Sequence, residues 1–139
     1  MSEPGEPRVT ARGGCLCGAV RYELRGALRG VVLCHCGQCR RSHGHVGAYT
    51  SVRLEDLTVI EQGALQWYRS SDRARRGFCG TCGGRLFWEP SGQGRMAVAA
   101  GSIDQPSGLR SVAHIFVEDA GDYYEIADGL PRHQAGLGA

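Results

Sequence analysis

Seven cysteines carry most of the reactive chemistry in this chain, and three of them fall inside Cys34-His35-Cys36-Gly37-Gln38-Cys39. Three thiols within six residues cannot all pair with one another as disulfides. As thiolates they can face one soft cation, and C-x-C-x2-C spacing suits a backbone that wraps around a metal. Three protein ligands leave a fourth tetrahedral position open, the arrangement of catalytic rather than structural zinc. The other four cysteines form Cys15-x-Cys17 and Cys79-x2-Cys82, each pair followed by glycine. Two such knuckles brought together make a closed site of four thiolates, with glycine relieving the crowding as backbone N–H groups turn toward sulfur. The expected complement is therefore two Zn(II) per chain.

Competing readings exist for each motif. Cys79-Gly80-Thr81-Cys82 has the spacing of a thioredoxin-type redox pair, but that chemistry requires a helix N-terminus in a βαβ setting, and here the knuckle leads into Gly83-Gly84 and a β-like run. For Cys34, Cys36 and Cys39 the alternative is a second closed site completed by His35, His43 or His45. His114 heads an apolar run and is either a hydrogen-bonded core residue or a pocket group. Arg40 and Arg41 read as a solvated face, or as two cations for the carboxylates of a small anionic ligand beside an open metal site.

The elements that must position these groups are short and β-rich. Val20, Tyr22 and Leu24 alternate with Ala19, Arg21 and Glu23 at the period of a half-buried strand, and Gly30-Val31-Val32-Leu33 delivers the chain directly into Cys34. One helical turn is expected near residues 40–45, then strands at 47–52, 58–60 and 65–68, a charged turn over 70–77, and further strands at 86–88, 96–100 and 114–117. No segment carries a sustained helical stripe. With 22 glycines and many short strands, the expected fold is mainly β. Residues 1–12 are expected to be a flexible N-terminal arm, 13–133 one zinc-binding domain, and 134–139 a C-terminal tail.

Composition sets the surroundings. A chain of 139 residues suffices for one domain with its own core. The residues from Met1 to Pro7 have no apolar stretch of signal-peptide type, and no apolar run approaches the roughly 20 residues needed to span a bilayer. The expectation is a cytoplasmic protein with metal-bound thiols and no membrane partner. Seven thiolates and two Zn(II) would shift the formal charge from +2 to about −1, which gives little support to a nucleic-acid partner.

Several of these motifs occur together in one known family. Gly13-Gly14-Cys15-Leu16-Cys17-Gly18-Ala19-Val20-Arg21-Tyr22, Cys34-His35-Cys36-Gly37-Gln38-Cys39-Arg40-Arg41, Gly77-Phe78-Cys79-Gly80-Thr81-Cys82-Gly83, Gly101-Ser102-Ile103-Asp104 and His114-Ile115-Phe116 follow in order. Over residues 13–133 the chain resembles the glutathione-dependent formaldehyde-activating enzymes, a family that also includes centromere protein V. Phe116 stands where many relatives are expected to carry tryptophan, an apolar exchange.

The resemblance implies an Mss4-like, all-β arrangement of small antiparallel sheets stapled by zinc. It implies that Cys15, Cys17, Cys79 and Cys82 hold the structural ion, and Cys34, Cys36 and Cys39 the catalytic one, as ligands rather than nucleophiles. The implied activity is that of a zinc-dependent carbon–sulfur lyase joining glutathione, the small-molecule thiol partner, to formaldehyde as S-hydroxymethylglutathione. Three anionic ligands make zinc a weak Lewis acid, so thiol activation and positioning outweigh carbonyl polarisation. Tyr49, His43 and His114 are the candidate general bases. The alternatives are a non-catalytic carrier of glutathione or its adducts, and a zinc-stabilised interaction module; a metal framework by itself does not fix the substrate.

Overall fold

A computed structural model describes residues 8–137. In chain order its strands are β1 (Val9–Gly14), β2 (Arg21–Arg25), β3 (Val31–Cys34), β4 (Gly47–Arg53), β5 (Leu57–Glu61), β6 (Leu65–Ser71), β7 (Ala74–Cys79), β8 (Arg85–Pro90), β9 (Arg95–Ala99) and β10 (Ser111–Ile115). The α-helix among the described residues is α1, Gly37–His43, between β3 and β4. The protein is mainly β, as its alternating apolar pattern and glycine content lead one to expect.

Within the domain expected over 13–133, the chain forms two compact units. The first comprises residues up to Arg29 together with Thr50–Gly108. In it β1, β2 and β5 form an antiparallel sheet in that order, and β6, β7, β8 and β9 pair in succession, also antiparallel. Val20, Tyr22, Leu24, Val52, Leu86, Phe87 and Val98 are all but inaccessible. Tyr22 meets Phe87 with ring centroids 5.3 Å apart, and Trp67 also stacks on Phe87, at 6.1 Å. The Tyr22 hydroxyl is matched by Ser102 Oγ at 2.6 Å, which satisfies the polar end of this buried ring.

The second unit comprises Gly30–Tyr49 and the chain from Leu109 onward. Here β10 runs parallel to β3, aligning His114 with Leu33 and Ile115 with Cys34, while β3 pairs antiparallel with the start of β4. This parallel pair joins sheets whose other strand pairings named here are antiparallel, as expected. Its core is small: Val31, Val32, Tyr49 and Ala113, together with the buried Cys34, Cys39, His35 and His114. After β10 the segment 131–135 hydrogen-bonds alongside it, with His114 N–H donating to Pro131 O and His133 N–H to His114 O, both at 2.9 Å.

Several boundaries differ from those read in the sequence. Residues 1–7 of the expected arm lie outside the described residues, but Val9–Gly14 is a strand, held by pairing with β2, by the Thr10 hydroxyl donating to Gly26 O at 2.9 Å, and by the Arg12–Glu23 ion pair. Within the expected tail, Ala135 O accepts from the Phe116 N–H, and residues 138 and 139 lie outside the described residues. The charged stretch 70–77 is mostly strand. Only Asp72 and Arg73 separate β6 from β7, because the arginines are held cross-strand: Arg75 lies 3.8 Å over the Trp67 ring and pairs with Glu89 at 2.7 Å. Gly77 opposite Trp67 leaves room for that indole; a Cβ there would sit 3.0 Å from it. The last strand ends at Ile115 rather than 117, where Phe116 adopts the left-handed region at φ 54°.

Candidate metal centre and its surroundings

Cys15 and Cys17 lie on the turn between β1 and β2, and Cys79 and Cys82 on the knuckle between β7 and β8. That knuckle is closed by Gly83 N–H donating to Cys79 O at 2.8 Å and Cys79 N–H to Gly84 O at 3.0 Å, with Gly83 at φ 78°. The amides of Val20, Thr81 and Cys82 donate to cysteine sulfurs at 3.3–3.4 Å, as expected for a thiolate knuckle. All four sulfurs lie within 4.8 Å of one another. Cys15 and Cys17 sulfurs are 3.7 Å apart and those of Cys17 and Cys79 3.8 Å, far beyond an S–S bond of about 2.05 Å. A tetrahedron with Zn–S bonds of about 2.3 Å has sulfur–sulfur edges of about 3.8 Å, so the donor set fits Zn(II) in both chemistry and size.

Cys34 ends β3, Cys36 caps α1 and Cys39 is in its first turn. The Cys36 sulfur accepts from the Cys39 N–H at 3.3 Å, which is why the helix starts at Gly37 and not after Cys39 as the sequence suggests; Gly44, at φ 80°, stops it. The three sulfurs again lie within 4.8 Å of one another. Gly47 is packed against them: a Cβ there would come 3.0 Å from the Cys39 sulfur and 3.0 Å from the Tyr49 ring.

In neither set can all the thiols ionise by themselves. Cys36 is pushed down to about 2 by hydrogen bonds from Cys34 and Cys39 and by the amides of Cys39 and Gln38, whereas Cys34 is driven up because Cys36 and Cys39 oppose its charge and it is buried. Cys82 is pulled down to about 6, first by the amides at Cys17 and Gly84, while Cys17, despite the Ala19 amide, ends at about 11 through desolvation and its three thiol neighbours. A divalent cation removes that opposition.

Each histidine named as a possible fourth ligand has a ring nitrogen bonded to a tyrosine. His35 Nδ1 meets Tyr124 Oη at 2.5 Å, and its Nε2 is 2.8 Å from His114 Nδ1. His43 Nε2 bonds the Tyr49 hydroxyl, and His45 Nδ1 is 2.7 Å from the Tyr123 hydroxyl. The sulfur group comprises cysteines alone. Of the candidate bases, Tyr49 and His43 thus bond each other, and His114 bridges His35 and Asp128, whose carboxylate lies 2.8 Å and 3.0 Å from His114 Nε2. Burial first, then the neighbouring His114, depresses the His35 pKa and keeps its ring neutral. Arg40 has a buried Nε with no hydrogen-bond partner; Arg41 is exposed.

Tyr123, Tyr124 and Asp128 were invisible as site residues in the sequence. Their only signal is an aromatic doublet in a segment with no strand or helix pattern, and such residues in an irregular segment need a reason other than secondary structure.

Residues 10–119 match the family model for the glutathione-dependent formaldehyde-activating enzyme. The chain belongs to that family. Among solved structures, a crystal structure of a Rhodobacter sphaeroides protein is similar, with TM-score 0.58 and 29% sequence identity over 72% of this chain and 97% of that one. Both cysteine groups of this formaldehyde-activating-enzyme relative fall within the matched residues. Among the described residues, no helix is long and apolar enough to cross a membrane.

Proposed function

We propose that this protein is a zinc-dependent carbon–sulfur lyase that interconverts glutathione plus formaldehyde with S-hydroxymethylglutathione, working at Cys34, Cys36 and Cys39. Cys15, Cys17, Cys79 and Cys82 hold the structural zinc. The observation that carries this reading is the contrast in donor sets: four sulfurs complete one group, while the other brings together three sulfurs and no histidine nitrogen. Zinc bound to the three thiolates supplies a place where a substrate thiol loses its proton at neutral pH.

The remaining work falls to the chain's own side chains. Arg40, with its unpartnered buried Nε, holds a glutathione carboxylate; exposed Arg41 contributes less. Tyr49 and His43, hydrogen-bonded beside Gly47 and Cys39, line the same loop and restrict where the aldehyde carbon approaches. Family membership supports glutathione and formaldehyde as the reacting pair.

Formaldehyde adds to glutathione without a catalyst, so the test is an excess rate. Two-dimensional exchange NMR on the zinc-loaded protein should show adduct formation and breakdown faster than with glutathione alone, and Cys36→Ser should abolish the excess. Binding without acceleration would make the protein a carrier. Absence of glutathione binding would exclude this substrate.

A further inference from the structure

Three buried or half-buried side chains in the second unit and the exposed Asp128 form one hydrogen-bonded line, Tyr124–His35–His114–Asp128, and the line has a direction. An ionised carboxylate only accepts hydrogen bonds. Asp128, whose Oδ1 also takes the Leu130 N–H at 3.0 Å, therefore accepts from His114 Nε2–H. In a neutral ring the other nitrogen is then an acceptor, so His114 Nδ1 receives His35 Nε2–H at 2.8 Å. His35 Nδ1 in turn accepts the phenolic hydrogen of Tyr124 at 2.5 Å. That hydrogen is the only one Tyr124 has. Its oxygen can thus offer other groups nothing but lone pairs.

The placement of Tyr124 gives this a use. Its ring stacks on His35, with centroids 5.5 Å apart and planes 23° apart, and His35 sits between Cys34 and Cys36. His45 also packs on the Tyr124 ring in a T-shaped contact, with centroids 4.7 Å apart. Burial, against the opposing Gly121 amide, raises the Tyr124 pKa, so the phenol stays protonated.

We propose that Asp128 acts as a remote positioning residue, fixing the tautomers of His114 and His35 so that Tyr124 is a hydrogen-bond acceptor for the hydroxyl of a thiol–aldehyde adduct seated at Cys34, Cys36 and Cys39. The site then selects S-hydroxymethyl over S-alkyl thioethers. This rests on the functional reading above for the identity of the ligand, but the tautomer order is a property of the chain itself. Asn in place of Asp128 can turn its NH2 toward His114 and reverse the whole line, converting Tyr124 from acceptor to donor.

The experiment uses the zinc-loaded full chain at pH 8. Long-range 1H–15N correlation on labelled histidine should show both His35 and His114 protonated at Nε2, and Asp128→Asn should move the hydrogen of His114 to Nδ1. In parallel, NMR titration compares S-hydroxymethylglutathione with S-methylglutathione, which differ by one hydroxyl. The sixteen cationic side chains are all arginine, so the formaldehyde that accompanies the adduct meets no lysine amine. One net hydrogen bond corresponds to a preference of about tenfold for the hydroxymethyl ligand in the native protein. Tyr124→Phe should bring the ratio to about one while leaving S-methylglutathione affinity within about twofold, and Asp128→Asn should lower the ratio as well. Nδ1 protonation of either ring in the native protein overturns the proposal. Binding of both ligands with a ratio near one overturns the adduct recognition alone; binding of neither overturns it together with the reading on which it rests.

Discussion

The two units bury different things. The first packs Tyr22, Leu24, Phe87, Leu86, Val52 and Val98 into hydrocarbon and carries its cysteines on turns at strand ends, with Cys17 exposed. The second has few apolar side chains to bury, and its interior is made instead of thiols and imidazoles: Cys34, Cys39, His35 and His114. Stability comes from apolar burial and from tying together residues distant in sequence, whereas reactive groups need a partly polar interior that hydrogen bonds hold in place. The four-cysteine group joins residues 62 positions apart, and the three-cysteine group joins residues within one loop. On the proposed reading, similar ligands serve opposite ends, one holding the fold and the other exposing a reactive position.

The sharpest way to break this comparison is to remove one ligand from each group. Cys79→Ser should unfold or aggregate the protein, since a structural zinc contributes roughly 10–16 kcal/mol in small peptides, as much as a whole domain's net stability. Cys36→Ser should keep its circular dichroism spectrum and most of its melting temperature while losing one metal ion. Equal collapse in both would reverse the roles. A milder version uses a chelator: metal analysis should begin at two zinc ions per chain and fall to one before secondary structure is lost, the first ion leaving from the group with fewer sulfurs.

The hydrocarbon core of the first unit makes its own prediction. Burial raises the Tyr22 pKa from 10.0 to about 12, against the opposing hydrogen bond with Ser102. The folded state thus resists ionisation that the unfolded chain accepts. Stability from this group is fully present below pH 10 and is lost as the pH climbs toward 12, on the order of 2–3 kcal/mol. Melting curves between pH 9 and 12 should show the loss, and Tyr22→Phe should flatten it. The smallest effect belongs to the second unit. Arg40→Ala should weaken glutathione binding about tenfold by calorimetry, Arg41→Ala by less than about twofold, and neither should shift the melting temperature by more than a few degrees.

The cysteine groups are legible in the sequence because their spacing is local: C-x-C-x2-C states a loop geometry within six residues, and each knuckle is followed by its glycine. The strands of the first unit are legible by alternation at Val20, Tyr22 and Leu24. Residues 70–77 mislead because three arginines suggest solvent, when Arg75 is held over Trp67 and Arg76 is buried. The tyrosine–histidine contacts are not legible at all. Tyr124 is 89 positions from His35 and Asp128 is 14 from His114, and no spacing rule reports which irregular segment returns to which strand. The parallel pairing of β10 with β3 is what brings His114 to His35, and that register is a tertiary fact.

The four-sulfur group also has a mechanical consequence. Cys17 and Cys79 bracket the chain between them, and that bracket contains Cys34, Cys36 and Cys39. With zinc bound there as proposed, Cys15, Cys17, Cys79 and Cys82 would form a clasp, and once the strands outside it had peeled away the 61 residues between Cys17 and Cys79 would carry no tension until it opened. At about 3.4 Å per residue, roughly 210 Å of chain is shielded in this way. The reactive loop lies within that length, so a pull from the N-terminus would meet this group before β3 or α1, whereas a pull from the C-terminus would first peel β10 from β3.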